Sequence, residues 1–395
     1  MIKYYRKTLT SLFQSLNDLR TNPANIDLCF SIQEKLLNHI RRIEYQIRKI
    51  KSNNSEIQNL IKNGRLPKEE SKKLKQRIEY NILKKNSYDR LLLIFRDVGD
   101  GVAFIYLDKW DIKPLCLSKE PAGFVSGKKG LKLELKIFRK LKLSKFPFIF
   151  CDVTNSVRYS DIVIVKHGIP LFLEIKSGKS SASNERALRQ KENIQKLAKY
   201  LIIDEADDLF GLKGKVTRIS TVKKEKHYRK SLNTLIEKAG YSRNNVMNKI
   251  EKGLYYAILY SEERESFEKV INKLPKSGKW ILSNVNEQKK YKQSYYPFTL
   301  SIIDPERLFE FYVEEFSIII FIDLNIVEEI CSKESVVMAF HGDEQSFISF
   351  SYQEEGTLTM SSHLFGRVCA EFLSLEWMIT ESFNRLFAIK KEFRA

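Results

Sequence analysis

Two short apolar runs, Ile162-Val163-Ile164-Val165 and Leu171-Phe172-Leu173, flank the turn residues His167-Gly168. Runs this rich in Ile, Val, Leu and Phe, separated by a turn and closed by Gly178, read as a β-hairpin. Alternate residues of a strand face opposite ways, so Leu171, Leu173 and Ile175 are expected on one face. Phe172, Glu174 and Lys176 then share the other, the two charges about 6.6 Å apart. Asp161 opens the first run, and a hairpin carries it and Glu174, 13 residues later, to one end. Carboxylates that converge in partly dry surroundings repel, and protonation or a divalent cation with oxygen ligands relieves them. Lys176 would offset part of that charge and could orient or help deprotonate a water.

The flanks add two helices. From Gly130 to Leu143, Leu131, Leu135, Phe138 and Leu141 recur at helical spacing, with Glu134 on or beside their stripe. From Asn184 to Ile203, Ala187, Ile194, Leu197, Ala198 and Leu201 share a face, and Gln190 lies on it one turn before Ile194.

The order of helix with Glu, strand, Asp-strand, Glu-x-Lys strand and helix with Gln resembles the PD-(D/E)xK nuclease superfamily. The motif stands here as Ser160-Asp161 followed by Glu174-Ile175-Lys176, with Ser where the family name has Pro. The resemblance covers about 75 of the 395 residues. It implies an α/β fold with a restriction-endonuclease-like mixed sheet flanked by helices. It also implies Mg²⁺ or Mn²⁺ held by Asp161, Glu174, the Ile175 carbonyl and Glu134, with Lys176 orienting the attacking water. Gln190 takes the role of a contact to the site or to the DNA backbone. The activity implied is metal-dependent hydrolysis of DNA phosphodiester bonds, in bacterial defence against foreign DNA. A nucleic-acid-binding scaffold that keeps the fold without cleavage, and an RNase using the same site, stay open.

Charge bears on the partner. The chain carries a net +19, and residues 1–96 hold 21 Lys or Arg against 9 Asp or Glu, whereas residues 296–395 hold 7 against 17. A polyanion suits the basic part, through phosphate neutralisation without sequence preference. The acidic end would be repelled by DNA and suits a protein partner, a lid or a regulatory module. No apolar run approaches the roughly 20 residues of a spanning helix, and no signal-peptide core opens the chain, so no membrane association is expected. Five scattered cysteines without Cys-x-x-Cys spacing argue for a reducing cytoplasm and against a thiolate zinc site.

Along the chain, Ser11 to about Ile61 reads as helix, with Leu36, Ile40, Ile43, Ile47 and Ile50 at spacings of three and four. A second helix begins near Pro67 with Leu74, Ile78, Ile82 and Leu83 as its stripe, giving a coiled-coil-like hairpin. Such an arm suits homo-oligomerisation, DNA clamping or plain packing. A tight glycine turn is expected at Val98-Gly99-Asp100-Gly101, with Asp97 and Asp100 as turn caps, the alternative being site carboxylates. Gly123 to Gly130 fails as a phosphate loop, because its glycines are too close and no Ser or Thr follows the lysine, although its lysines could meet a DNA phosphate. Leu201 to Asp208 looks like a Walker B box, yet without a phosphate loop it reads as a helix end. Residues 223–230 form a basic run that suits DNA contact or a solvated face. Strand, helix and strand near 255–260, 265–274 and 280–282 are expected to extend the same sheet, and Arg367 to Leu386 to form one helix. The expected domains are a basic hairpin at 1–96, a nuclease-like core at 97–290 and an acidic α+β module at 291–395.

Overall fold

The computed structural model describes residues 2–64, 66–115, 123–128, 130–158, 160–175, 185–208, 214–217, 223–260, 264–288, 295–352 and 356–394. The chain is mixed α/β, with long helices near its N-terminus followed by several small sheets. It divides into two units, Met1–Val216 with Lys292–Tyr295, and Thr217–Tyr291 with Tyr296–Ala395. Neither expected boundary, after residue 96 or after residue 290, is where the chain divides.

In the first unit, helix α1 (Arg6–Thr21) stops before Asn22-Pro23, because proline brings no N–H and its ring blocks the next turn. The Asn25 side chain accepts a 2.9 Å hydrogen bond from the Leu28 amide and starts α2 (Ile26–Asn63). The single helix expected from Ser11 to Ile61 is therefore two. After four residues the chain returns as α3 (Lys68–Tyr106). Glu44 meets Arg96 while Asn53 and Asn54 meet Asn81, so α2 and α3 run antiparallel. At 1.5 Å per residue each spans roughly 57 Å.

Burial in α3 begins only at Leu91. Of its expected stripe, Leu74 and Ile78 are half-buried, while Ile82 and Leu83 are 46% and 67% exposed. Asn81 takes the inward position instead and donates to the Asn53 and Asn54 side chains at 3.1 and 2.7 Å. A polar layer of this kind fixes the register of a helix pair.

No turn forms at Gly99 and Gly101, because α3 runs straight through both. A Cβ placed on Gly99 would lie 2.0 Å from the Val153 carbonyl oxygen. The glycine serves close approach rather than chain reversal. It also carries α3 across the boundary expected at residue 96.

After α4 (Lys109–Leu115) and α5 (Leu131–Leu141) come β1 (Phe148–Phe150), β2 (Ile162–Lys166) and β3 (Ile169–Leu173). They form one sheet in that order, and both pairs are antiparallel, so the expected mixed pairing is absent from it. His167 and Gly168 both have positive φ, 51° and 80°, as a two-residue hairpin turn of the primed type requires. Pro170 sits on the edge strand, where its missing N–H costs no ladder bond.

Ile149, Cys151, Val163 and Val165 pack against Ala103 and Leu107 from the end of α3, Ile112 of α4 and Leu197 of α6 (Glu185–Ile203). On the other side the Phe138 ring of α5 meets Phe148 and Phe150 and stacks on Phe30 of α2. The Walker B look-alike resolves into the end of α6, Asp204 at φ 60° and β4 (Glu205–Asp207), which pairs with β5 (Lys215–Thr217).

The second unit has its own sheet, in the order β6 (Val246–Glu251), β7 (Leu254–Leu259), β9 (Ser317–Asp323) and β8 (Trp280–Asn284), antiparallel throughout. These strands, expected to extend the sheet of β1 to β3, do not do so. Because β9 enters between β7 and β8, a division at residue 290 would cut through one hydrogen-bonded sheet. Helices α7 (Arg229–Ser242) and α8 (Arg264–Ile271) accompany that sheet, with Val270 of α8 in a cluster with Ala257, Ile319 and Phe321.

Short helices α9 (Val285–Gln288), α10 (Phe298–Ser301) and α11 (Pro305–Tyr312) then lead to β9, followed by α12 (Leu324–Lys333). A second sheet comprises β10 (Val336–Phe340), β11 (Ile348–Tyr352) and β12 (Thr357–Met360), and α13 (Ser362–Phe365) follows it. The helix expected from Arg367 to Leu386 is broken into α14 (Arg367–Ala370) and α15 (Leu375–Arg394), with Phe372 at φ 56° between them. Among the described residues no helix is long and apolar enough to cross a membrane.

Candidate functional site

The loop after β1 is fastened before it carries any chemistry. Asp100 Oδ1 of α3 accepts hydrogen bonds from the Asn155 and Ser156 amides at 2.9 and 2.8 Å and from the Ser156 hydroxyl at 2.5 Å. Asp97 Oδ1 accepts from Asn155 Nδ2 at 2.7 Å. The Thr154 hydroxyl closes the loop on itself, donating to the carbonyls of Cys151 or Val157 at 2.8 and 2.7 Å. Asp97 and Asp100 thus act as loop clamps, and the bare Cα of Gly99 lets them reach.

What the clamped loop presents is Asp152, 7% exposed and gripped by Lys128 Nζ at 2.6 and 2.7 Å, with Arg158 Nη2 at 3.8 Å. Lys128 comes from the segment Gly123 to Lys128, itself pinned to the long helices. Glu44 of α2 accepts from the Val125 and Ser126 amides, each at 2.8 Å, and from the Ser126 hydroxyl. Arg96 donates to the Gly123 carbonyl at 3.0 Å, and Arg48 to the Ser126 carbonyl at 2.6 Å. Of the lysines that could meet a phosphate, Lys128 is engaged with Asp152, and Lys129 lies outside the described residues.

Hairpin register supplies the next two carboxylates. Ile162 pairs with Leu173, and the Asp161 amide donates to the Leu173 carbonyl at 3.1 Å. The paired register ends there, so Asp161 and Glu174 are the residues that follow it at the same end of the hairpin. The Ile175 amide donates to Asp161 Oδ2 at 2.7 Å, which fixes that carboxylate. The Cys151 amide donates to the Asp161 carbonyl at 3.0 Å, so the strand ends bearing Asp152, Asp161 and Glu174 adjoin.

Glu134 completes the group from the first turn of α5. It is 5% exposed, and its Oε1 packs where a side chain on Gly130 would clash, 2.9 Å from an added Cβ. Its Oε2 is buried without a hydrogen-bond partner. Burial, then Asp161 and Asp152, push its carboxyl up to about 7; Lys128 opposes them and Glu174 adds to the rise. Burial likewise raises Asp161, against the Ile175 amide and Lys128 and together with Asp152. This is the electrostatic signature of carboxylates gathered with too few cations.

Oxygen donors, a carboxylate oxygen without a donor and a carboxyl raised toward neutrality fit a hard divalent cation in chemical type. Among the described residues no three His, Cys, Asp or Glu side chains form a group that could hold a metal ion. Mg²⁺ keeps several waters and is commonly bound through only one or two carboxylates.

The structure therefore brings together Glu134, Asp161 and Glu174 of the residues picked out in the sequence, with Ile175 at the rim through its amide. Lys176 lies outside the described residues. Gln190 falls within α6, and its side chain is likewise outside them. Sequence reasoning missed Asp152 and its pairing with Lys128. The signal that could have found it is an acidic residue just after the apolar run Phe148-Ile149-Phe150, close to the strand-end placement that singles out Asp161. No family model matches the chain, and no match emerges among curated proteins or solved structures.

Proposed function

We propose that the chain is a metal-dependent endonuclease that hydrolyses DNA phosphodiester bonds, built around a restriction-endonuclease-like core of the PD-(D/E)xK type. The observation that carries the reading is the electrostatic coupling of Glu134 to Asp161 and Glu174 at one end of the β2–β3 hairpin. Asp161 and Glu174 would hold Mg²⁺ or Mn²⁺, with the Ile175 carbonyl as a further ligand and Glu134 assisting. Such a cation supplies polarisation of the scissile phosphate and stabilisation of the leaving oxyanion. The Ile175 amide keeps one Asp161 oxygen in place, and Lys176 would orient the attacking water. Glu134, poised near neutrality, would hold or release a proton beside the reacting groups. The basic arm would engage DNA, the acidic C-terminal end a protein partner, and a homo-oligomer acting in cytoplasmic defence against foreign DNA is the setting the resemblance implies.

The test is cleavage of duplex DNA, single-stranded DNA and RNA with Mg²⁺ or Mn²⁺. Asp161→Ala and Lys176→Ala should each lower the rate by about 10²- to 10³-fold, the scale of removing one electrostatic stabiliser. Cleavage that persists in both variants, or wild-type protein inert on all three substrates, would remove the reading. Preference for RNA would make the same site that of a ribonuclease.

A further inference from the structure

The outward face of α2 carries Asn38, Arg41, Arg42 and Tyr45, spaced so that helical geometry lines them up opposite the buried Ile40, Ile43 and Ile47. With Gln46, Arg48 and Ser126 they line an open cleft of about 420 Å³. That volume lies in the range of clefts that take small ligands. Three guanidinium groups border it, and among the described residues no carboxylate pairs with Arg41 or Arg42. Tyr45 is 63% exposed in their midst, leaving its ring open to stacking.

Arg48 is held in place by its bond to the Ser126 carbonyl and lies 5.5 Å from the centre of the Phe124 ring. The cleft wall and the carboxylate cluster meet through one short segment. Ser126 borders the cleft, and Lys128, two residues on, grips Asp152. Two residues of chain span at most about 7 Å.

Planar guanidiniums recognise phosphate oxygens through paired N–H donors, and an exposed aromatic among cations takes the face of a base. We propose that this cleft binds the phosphodiester backbone of a nucleic-acid strand, with Arg41 and Arg42 on phosphates and Tyr45 beneath a base. The choice of a nucleic-acid strand as ligand rests on the nuclease reading; the test fails separately from it.

Binding of a labelled twelve-residue oligothymidylate to the full chain is measured by anisotropy in EDTA, with the probe checked for integrity. Arg41→Glu with Arg42→Glu should weaken binding at least about ten-fold. The same pair should flatten the slope of log K against log salt by about 1.4, since each phosphate that goes unneutralised removes about 0.7. Tyr45→Ala should weaken binding about ten-fold, within the range for one stacked base. Lys273→Glu with Lys276→Glu, an exposed pair outside the basic arm, is the control for general charge and should change binding less than about three-fold.

Wild-type affinity in the Arg41/Arg42 variant, or a loss no larger than the control's, overturns the proposal. So does displacement of the oligonucleotide by a nucleoside triphosphate or inorganic phosphate at concentrations below its own, which would make the cleft a site for a free phosphate ligand. Binding lost in the variant while wild-type protein never cleaves with Mg²⁺ keeps the cleft and discards the nuclease reading. Cleavage in wild type with unaltered binding in the variant does the reverse.

Discussion

Two buried glutamates in the first unit sit in opposite circumstances. Glu44 is fully buried, and it meets the Val125 and Ser126 amides, the Ser126 hydroxyl and Arg96. Glu134 is almost as buried, yet one of its oxygens meets no donor, and burial together with other carboxylates pushes it up to about 7. The first arrangement is what a carboxylate needs in order to fasten a fold. The second holds a carboxylate where it is uncomfortable, a condition that clusters at functional sites. Burial alone does not separate a structural acid from a poised one; the supply of donors does.

The comparison can be broken by removing each acid in turn. Glu44→Ala leaves Arg96 buried without its counter-charge and two backbone amides without an acceptor, and should cost about 3–5 kcal/mol in urea unfolding. A loss under about 1 kcal/mol would show that Glu44 fastens nothing. Next in size is the response to a cation. At a hundred times its dissociation constant, Mn²⁺ should stabilise wild-type protein by about 2.7 kcal/mol and leave Asp161→Ala unmoved in thermal melts. An equal rise in both would place the ion elsewhere.

Gly99→Ala should cost about 1–3 kcal/mol, because the added methyl meets backbone that cannot swing aside. It should also loosen amide-exchange protection at Asn155 and Ser156 while sparing Val125 and Ser126.

The smallest effect is the most diagnostic. Glu134 has a folded-state pKa near 7, above the ordinary 4.5, so its protonated form is favoured by folding. The stability this contributes is complete below pH 4.5 and is lost as the pH rises through 7. Glu134→Gln, which cannot ionise, should therefore melt about 2–4 °C above wild type at pH 8 without metal, and the gap should close by about pH 4.5. A gap independent of pH would mean that Glu134 is not under electrostatic strain.

The hairpin and its acids were legible because their signals are local. Two apolar runs around His167-Gly168 and an acid at each outer end leave little freedom of arrangement. Helices α5 and α6 were legible for the same reason, from periodicity alone. What could not be read depends on partners distant in sequence. Gly99 looks like a turn because a glycine's purpose is invisible until Val153 is seen against it. Asp152 draws no notice because nothing within the chain neighbourhood marks it, and Lys128 and Arg158 reach it only in the fold. Leu83 belongs by spacing to a stripe that Asn81 in fact interrupts. The placement of β9 between β7 and β8 could not be inferred from the order of strands along the chain.

The attachment of residues 123–128 has an evolutionary consequence. Glu44, Arg48 and Arg96 of the long helices hold the backbone of residues 123–126, so a cleft of arginines and a nest of carboxylates share one attachment. That attachment cannot drift at its own positions without disturbing both. Among descendants of this chain, positions 44, 96 and 126 should change in concert or stay as they are, while Arg41, Arg42 and Tyr45 are at liberty to follow whatever the cleft is selected to hold.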